Sequence, residues 1–156
     1  MNNNVTDLLN EKEIKTDIMR YKNNGTSFWL SVLAIIADVV MFVIIYKQKE
    51  CVPDFQMGFD LLINVIYMLA VFLIAEKTKA YNKKASYAAF VVAAIQIARI
   101  FWIPLNYLNN GLTGAQFGWC VGLIALSSVA LIAAGIVAII KNKKLESHLK
   151  KLEEMR

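Results

Sequence analysis

Histidine is all but absent from this chain of 156 residues, which has one, together with two cysteines and two prolines. That histidine, His148, lies beyond the last apolar run, which excludes bis-histidine haem ligation and histidine-based metal sites within the apolar part. No C-x-x-C pair occurs, so the paired-thiol relay of a membrane thiol oxidase is missing. The G-x-S-x-G, Walker and dinucleotide-binding patterns are missing too. No catalytic residue, cofactor or metal is therefore assigned, and an enzyme is the disfavoured class. Charge is scarce as well: 19% charged residues against 58% hydrophobic ones leave too little polar surface to clothe a soluble globule.

What the chain has in quantity is long apolar runs. Positions 28–46, 57–75, 85–105 and 118–140 each approach or exceed the roughly 20 residues that cross about 30 Å of hydrocarbon as a helix. The first exceeds the apolar core of a secretory signal and has no small-residue cleavage site after it. The runs are continuous rather than alternating, which fits helices and not an outer-membrane barrel. The expected fold is all-α, a polytopic membrane four-helix bundle. A tail over 1–26 precedes the membrane domain of 27–140, and a helical tail over 141–156 follows it.

The net charge of +5 is distributed by topology. Lys12, Lys15, Arg20 and Lys22 precede the first run, Lys77, Lys79, Lys83 and Lys84 join the second to the third, and six basic residues follow Ile140. The alternate side holds Lys47 and Lys49, and the 105–117 loop has no Lys or Arg. By the positive-inside rule both termini and the 76–84 loop are expected in the cytoplasm. The implied partner of these lysines is an anionic lipid surface and not nucleic acid. Phe28, Trp29, Tyr46, Tyr81, Phe101, Trp102, Tyr107 and Trp119 fall near the ends of the runs, where aromatic rings favour the interface. Asparagine- and lysine-rich tails point to a bacterial cytoplasmic membrane.

In the first tail, Val5, Leu8, Leu9, Ile14 and Ile18 are spaced either for an amphipathic surface helix or for a frayed end. Past Ile140, Leu145, Leu149, Leu152 and Met155 recur at helical spacing, so the fourth helix is expected to extend into the cytoplasm. From Gly118 to Arg156 it would measure about 58 Å. Pro104 has no amide hydrogen and should end or kink the third helix.

Five polar side chains stand within the runs: Asp38, Asp60, Asn64, Gln96 and Arg99. A charge at the bilayer centre costs about 2.5–3.5 kcal/mol on insertion scales, so these groups should face the bundle interior and find partners. Depth along the helices places Asp60 nearest the interface and Asp38 nearest the middle. Arg99, with five donors in a fixed fork, is expected to pair with Asp38, Asp60 or both. Such a cluster either fixes helix packing and register or forms a substrate, ion or proton site.

Small residues recur every fourth position as Ala85, Ala89 and Ala93, as Ala130, Ala134 and Ala138, and as Gly118 and Gly122. Faces of this kind allow close helix approach. Cys51 and Cys120 both fall on the non-cytoplasmic side, where they could form a disulfide or remain two separate thiols. Two functions follow as expectations. One is a small tetraspan protein acting by helix association, as a homo-oligomer or as a subunit of a larger membrane complex. The other is a small ion- or proton-coupled transporter or channel built on Asp38, Asp60 and Arg99.

Overall fold

The computed structural model describes residues 23–48, 55–108 and 111–154. They form α1 (Gly25–Gln48), α2 (Phe55–Lys79), α3 (Lys83–Ala98), a 3₁₀ turn (Arg99–Phe101), α4 (Ile103–Leu108) and α5 (Gly114–Glu154), with no strand among the described residues. Among the described residues four helical stretches are long and apolar enough to cross a membrane, the third being Lys83–Leu108 taken as one run. The 1–22 tail, Cys51 and Met155 lie outside the described residues.

The helices are inside-out relative to a soluble bundle. On α2 the buried positions are Met57, Asp60, Asn64, Tyr67, Val71, Ala75 and Thr78, three or four apart and rich in polar groups. Its exposed positions include Phe59, Leu62, Ile66, Leu69 and Leu73. On α1, Ser27, Ser31 and Asp38 are buried while Trp29, Ile36, Val40 and Val43 are exposed. Helices with apolar exteriors and polar interiors are stable only where the solvent is itself apolar.

α5 packs along α1 and α3, and α2 packs along the same two helices from the other side. Small residues line the packed faces of α3 and α5, and at Gly135 the two helices come close. Ala85, Ala89 and Ala93 of α3 and Ala130, Ala134 and Ala138 of α5 are all buried. A Cβ at Gly135 would stand 2.9 Å from the Phe90 ring and 3.2 Å from the Ser86 carbonyl oxygen. Between α1 and α5, the Ser27 hydroxyl donates to the Ala134 carbonyl at 2.9 Å.

Helix ends account for their backbone groups locally. α2 closes in a Schellman arrangement: Asn82 N–H donates to Lys77 O and Tyr81 N–H to Thr78 O, with Tyr81 at φ 58° in the left-handed region that glycine usually fills. Asn82 then caps α3, its side-chain oxygen accepting from Lys84 and Ala85 N–H. Asn24 caps α1 by accepting from Ser27 N–H at 3.3 Å, and its own N–H donates to Lys79 O at 3.0 Å, tying the start of α1 to the end of α2.

The third span does not run straight through 85–105. α3 stops at Ala98, the backbone tightens into the 3₁₀ turn, and Pro104 enters in the first turn of α4, where an N–H has no intrahelical acceptor anyway. At the lysine-rich end, Lys83 pairs with Glu146 and Asn142 Nδ2 donates to Ser86 Oγ at 3.1 Å, so the part of α5 beyond Ile140 is held at its base by α3.

Candidate functional site

α1, α2, α3, the 3₁₀ turn and α5 all contribute to one buried polar network. α1 supplies Asp38, α2 supplies Asn64 and Tyr67, α3 supplies Gln96, the 3₁₀ turn supplies Arg99 and α5 supplies Ser127. Asp38 is 1% exposed and Arg99 7%. Because Arg99 heads the 3₁₀ turn, tightening there sets where its long side chain leaves the backbone. Its guanidinium lies over the Tyr67 ring, with 4.4 Å from Cζ to the centroid.

The geometry distributes donors and acceptors closely. One terminal guanidinium nitrogen of Arg99 donates to Asp38 Oδ2 at 2.9 Å and to Gln96 Oε1 at 2.7 Å. The other donates to Asn64 Oδ1. Gln96 Nε2 donates to Asp38 Oδ1 at 2.7 Å and to Ser127 Oγ at 3.3 Å. Each carboxylate oxygen of Asp38 therefore has a donor, and the one cation is matched by one anion. Arg99 Nε is buried without an acceptor among the described residues.

Asp60 stands apart from this network. It is buried, yet its donors are aromatic: Tyr107 hydroxyl to Oδ2 at 3.0 Å and Trp102 Nε1 to Oδ1 at 3.4 Å. No ion pair joins it to Arg99 among the described residues. The expected five-residue cluster is thus divided in two. Asp38, Asn64, Gln96 and Arg99 come together, and Asp60, one helical turn from Asn64, belongs with Trp102 and with Tyr107 of α4. The physical reason is the 3₁₀ turn, which swings Trp102 and Tyr107 over Asp60 while the guanidinium points back toward α1.

Cys120 is buried in an apolar cluster with Met41, Ile45, Ile103 and Ile124. Its candidate partner Cys51 lies outside the described residues. Among the described residues no three His, Cys, Asp or Glu side chains are grouped to hold a metal ion.

Three contributors carry weaker signals in the sequence. Ser127 is a single hydroxyl in an apolar run, and only the Ser127–Ser128 doublet hints at a polar patch. Trp102 and Tyr107 read as interfacial anchors, a role that conceals their hydrogen bonds. Gly114 precedes Gly118 and Gly122 at the same four-residue spacing. All three glycines are exposed, and a Cβ at any of them would meet nothing within 4 Å. Compared with known protein families, with curated proteins and with solved structures, the chain matches none.

Proposed function

We propose that this is a small multi-pass membrane protein that acts by lateral helix association, as a homo-oligomer or as a subunit of a larger membrane assembly, with both termini cytoplasmic. The observation that carries the reading is the outward row of Gly114, Gly118 and Gly122 on α5. The alanine faces of α3 and α5 are used up inside the subunit, whereas this row faces away from the other described helices. Without a hydrophobic force between helices in lipid, association depends on close backbone approach, which such a row permits. The polar network favours the same reading over proton-coupled transport. Asp38 is neutralised by Arg99 and oriented by Gln96, an arrangement suited to fixing the register of helices. Lysines gathered at the α2–α3 turn and along the end of α5 support the cytoplasmic assignment of that end.

The test is the double substitution G118I/G122I. Among the described residues nothing lies within 4 Å of a Cβ added at either position, so the substitutions act chiefly on neighbours from outside the subunit. Purified in mild detergent, the wild type should run as an oligomer or with co-eluting proteins, and the variant as a single chain. A wild type that is monomeric in lipid nanodiscs and recovers no companion from native membranes would defeat the reading.

A further inference from the structure

Beyond Ile140, α5 carries a leucine stripe out of the apolar run. Leu145 and Leu149 stand four residues apart on one face, and Leu152 continues the spacing in the sequence. Leu149 is half-exposed. Within lipid such exposure is harmless. This segment, however, carries Lys141, Lys143, Lys144, Lys150 and Lys151, so its surroundings are aqueous and the stripe is stabilised by a cover.

The start of α1 lies at the root of that stripe. Lys141 Nζ donates to Thr26 Oγ1 at 3.1 Å, and Asn24 N–H is tied to Lys79 O. α1 and α5 run antiparallel: Ser27 meets Ala134 toward one end, and Met41 and Ile45 lie with Cys120 and Ile124 toward the other. The chain before Asn24 therefore leaves the bundle beside the segment of α5 that follows Lys141. Carried on at a like offset, Ile18 comes level with Leu145 and Ile14 with Leu149. Asn24 caps α1, so a helix in the tail is a separate one. A helix over 5–19 would measure about 22 Å, a match for the roughly 21 Å of α5 beyond Ile140.

Charge decides between α5 and the inner leaflet as the surface for this tail. Over 5–19 stand Asp7, Glu11, Glu13 and Asp17 against Lys12 and Lys15, a net negative segment. Helices that lie on anionic lipid carry lysine and arginine on their polar face, and the negative leaflet repels acidic ones. Over 141–151 five lysines stand against Glu146 alone, and Lys83 is paired with that glutamate. The acidic tail thus has a basic surface beside its point of exit.

We propose that the 5–19 segment docks on the Leu145–Leu149 stripe of its own chain as an antiparallel helix, with Ile18 and Ile14 level with those leucines, and braces the end of α5. The proposal rests on this end being cytoplasmic and is independent of whether subunits associate.

The test is disulfide cross-linking of the full chain, with C51S and C120A as background, in vesicles of phosphatidylethanolamine and phosphatidylglycerol oxidised by copper phenanthroline. I14C/L149C and I18C/L145C should each close a disulfide within one chain. I14C/S147C, with its second cysteine on the other side of α5, should not. Charge reversal by E11K/E13K/D17K should abolish the I14C/L149C cross-link. A bimane attached at I14C alone should show the blue-shifted emission of a covered site and no quenching by brominated lipids. Equal cross-linking at 147 and 149, disulfides only between chains, no disulfide in a chain that elutes as the wild type does, or a cross-link that survives charge reversal would each overturn the proposal. So would a bimane that is quenched by brominated lipid or emits as in water. The bimane reading changes only the tail, so it stands even where a substitution on α5 disturbs folding.

Discussion

α3 is held to its neighbours in two different ways at its two ends. Toward its C-terminus it is fixed by charge and hydrogen bonds, through Gln96 and Arg99 to Asp38, Asn64 and Ser127. Toward its N-terminus close approach predominates, with Ala85 and Ala89 buried and Phe90 covering Gly135, beside the Ser86–Asn142 hydrogen bond and the exposed Lys83–Glu146 pair. Lipid weakens the hydrophobic force that joins helices in water, and these are the two forces that remain. Their separation along one helix teaches that direction and distance are set independently. The polar end tells α1, α2, α3 and α5 which faces to turn inward, and the small-residue end tells α3 and α5 how near to come.

The comparison can be broken most severely at the polar end. Replacing Arg99 with Leu leaves Asp38 buried without its cation, and loss of about 3–5 kcal/mol is expected, read as poor expression and early thermal unfolding in detergent. The paired variant D38L/R99L removes both charges and should recover a substantial part of that loss, since the cost lies in the orphaned charge. If the pair is no better than R99L alone, the bridge is not what organises this end. An intermediate effect belongs to the close seam. G135V drives a side chain into the Phe90 ring and the Ser86 carbonyl and should cost about 1–3 kcal/mol. F90A in the same chain should return part of it by removing the ring, and an unshifted melting temperature for G135V would show the seam to be slack. The smallest effect lies at the exposed Lys83–Glu146 pair, with side chains 60% and 45% exposed. E146Q should change stability by no more than about 1 kcal/mol, with a smaller effect at high salt.

Much of the architecture was legible because lipid-facing composition is a coarse signal that survives local detail. The expected spans 28–46, 57–75 and 118–140 sit inside α1, α2 and α5, and in each case the helix is longer. Hydropathy falls where Lys47, Lys77 and Lys141 begin, but lysine is a good helix former and backbone hydrogen bonds continue past the apolar window. The third span differs in kind: Pro104 announced a disturbance, and the backbone yields five residues earlier, at Arg99. Which polar residues meet was legible only in part. The four- and three-residue spacing of Asp60, Asn64 and Tyr67 puts them on one face of α2, and that face is buried. Spacing carries no information on how the segment after a break is rotated, so the attachment of Asp60 to Trp102 and Tyr107 lay beyond it. Ser127 was hidden for another reason, because one hydroxyl in a helix can satisfy itself on the preceding turn, as Ser128 does on Ile124 O.

The length of α5 has a mechanical meaning. From Gly135 to Glu154 the helix contains no proline and no further glycine, so nothing along it acts as a hinge. The part after Ile140 reaches about 21 Å, and it is gripped near its root by Ser86 and Lys83. A rod anchored in this way works as a lever: a few degrees of tilt between α3 and α5 becomes a displacement of ångströms at the tip. Whatever meets the far end of α5 thereby senses the angle of the helices to which it is joined.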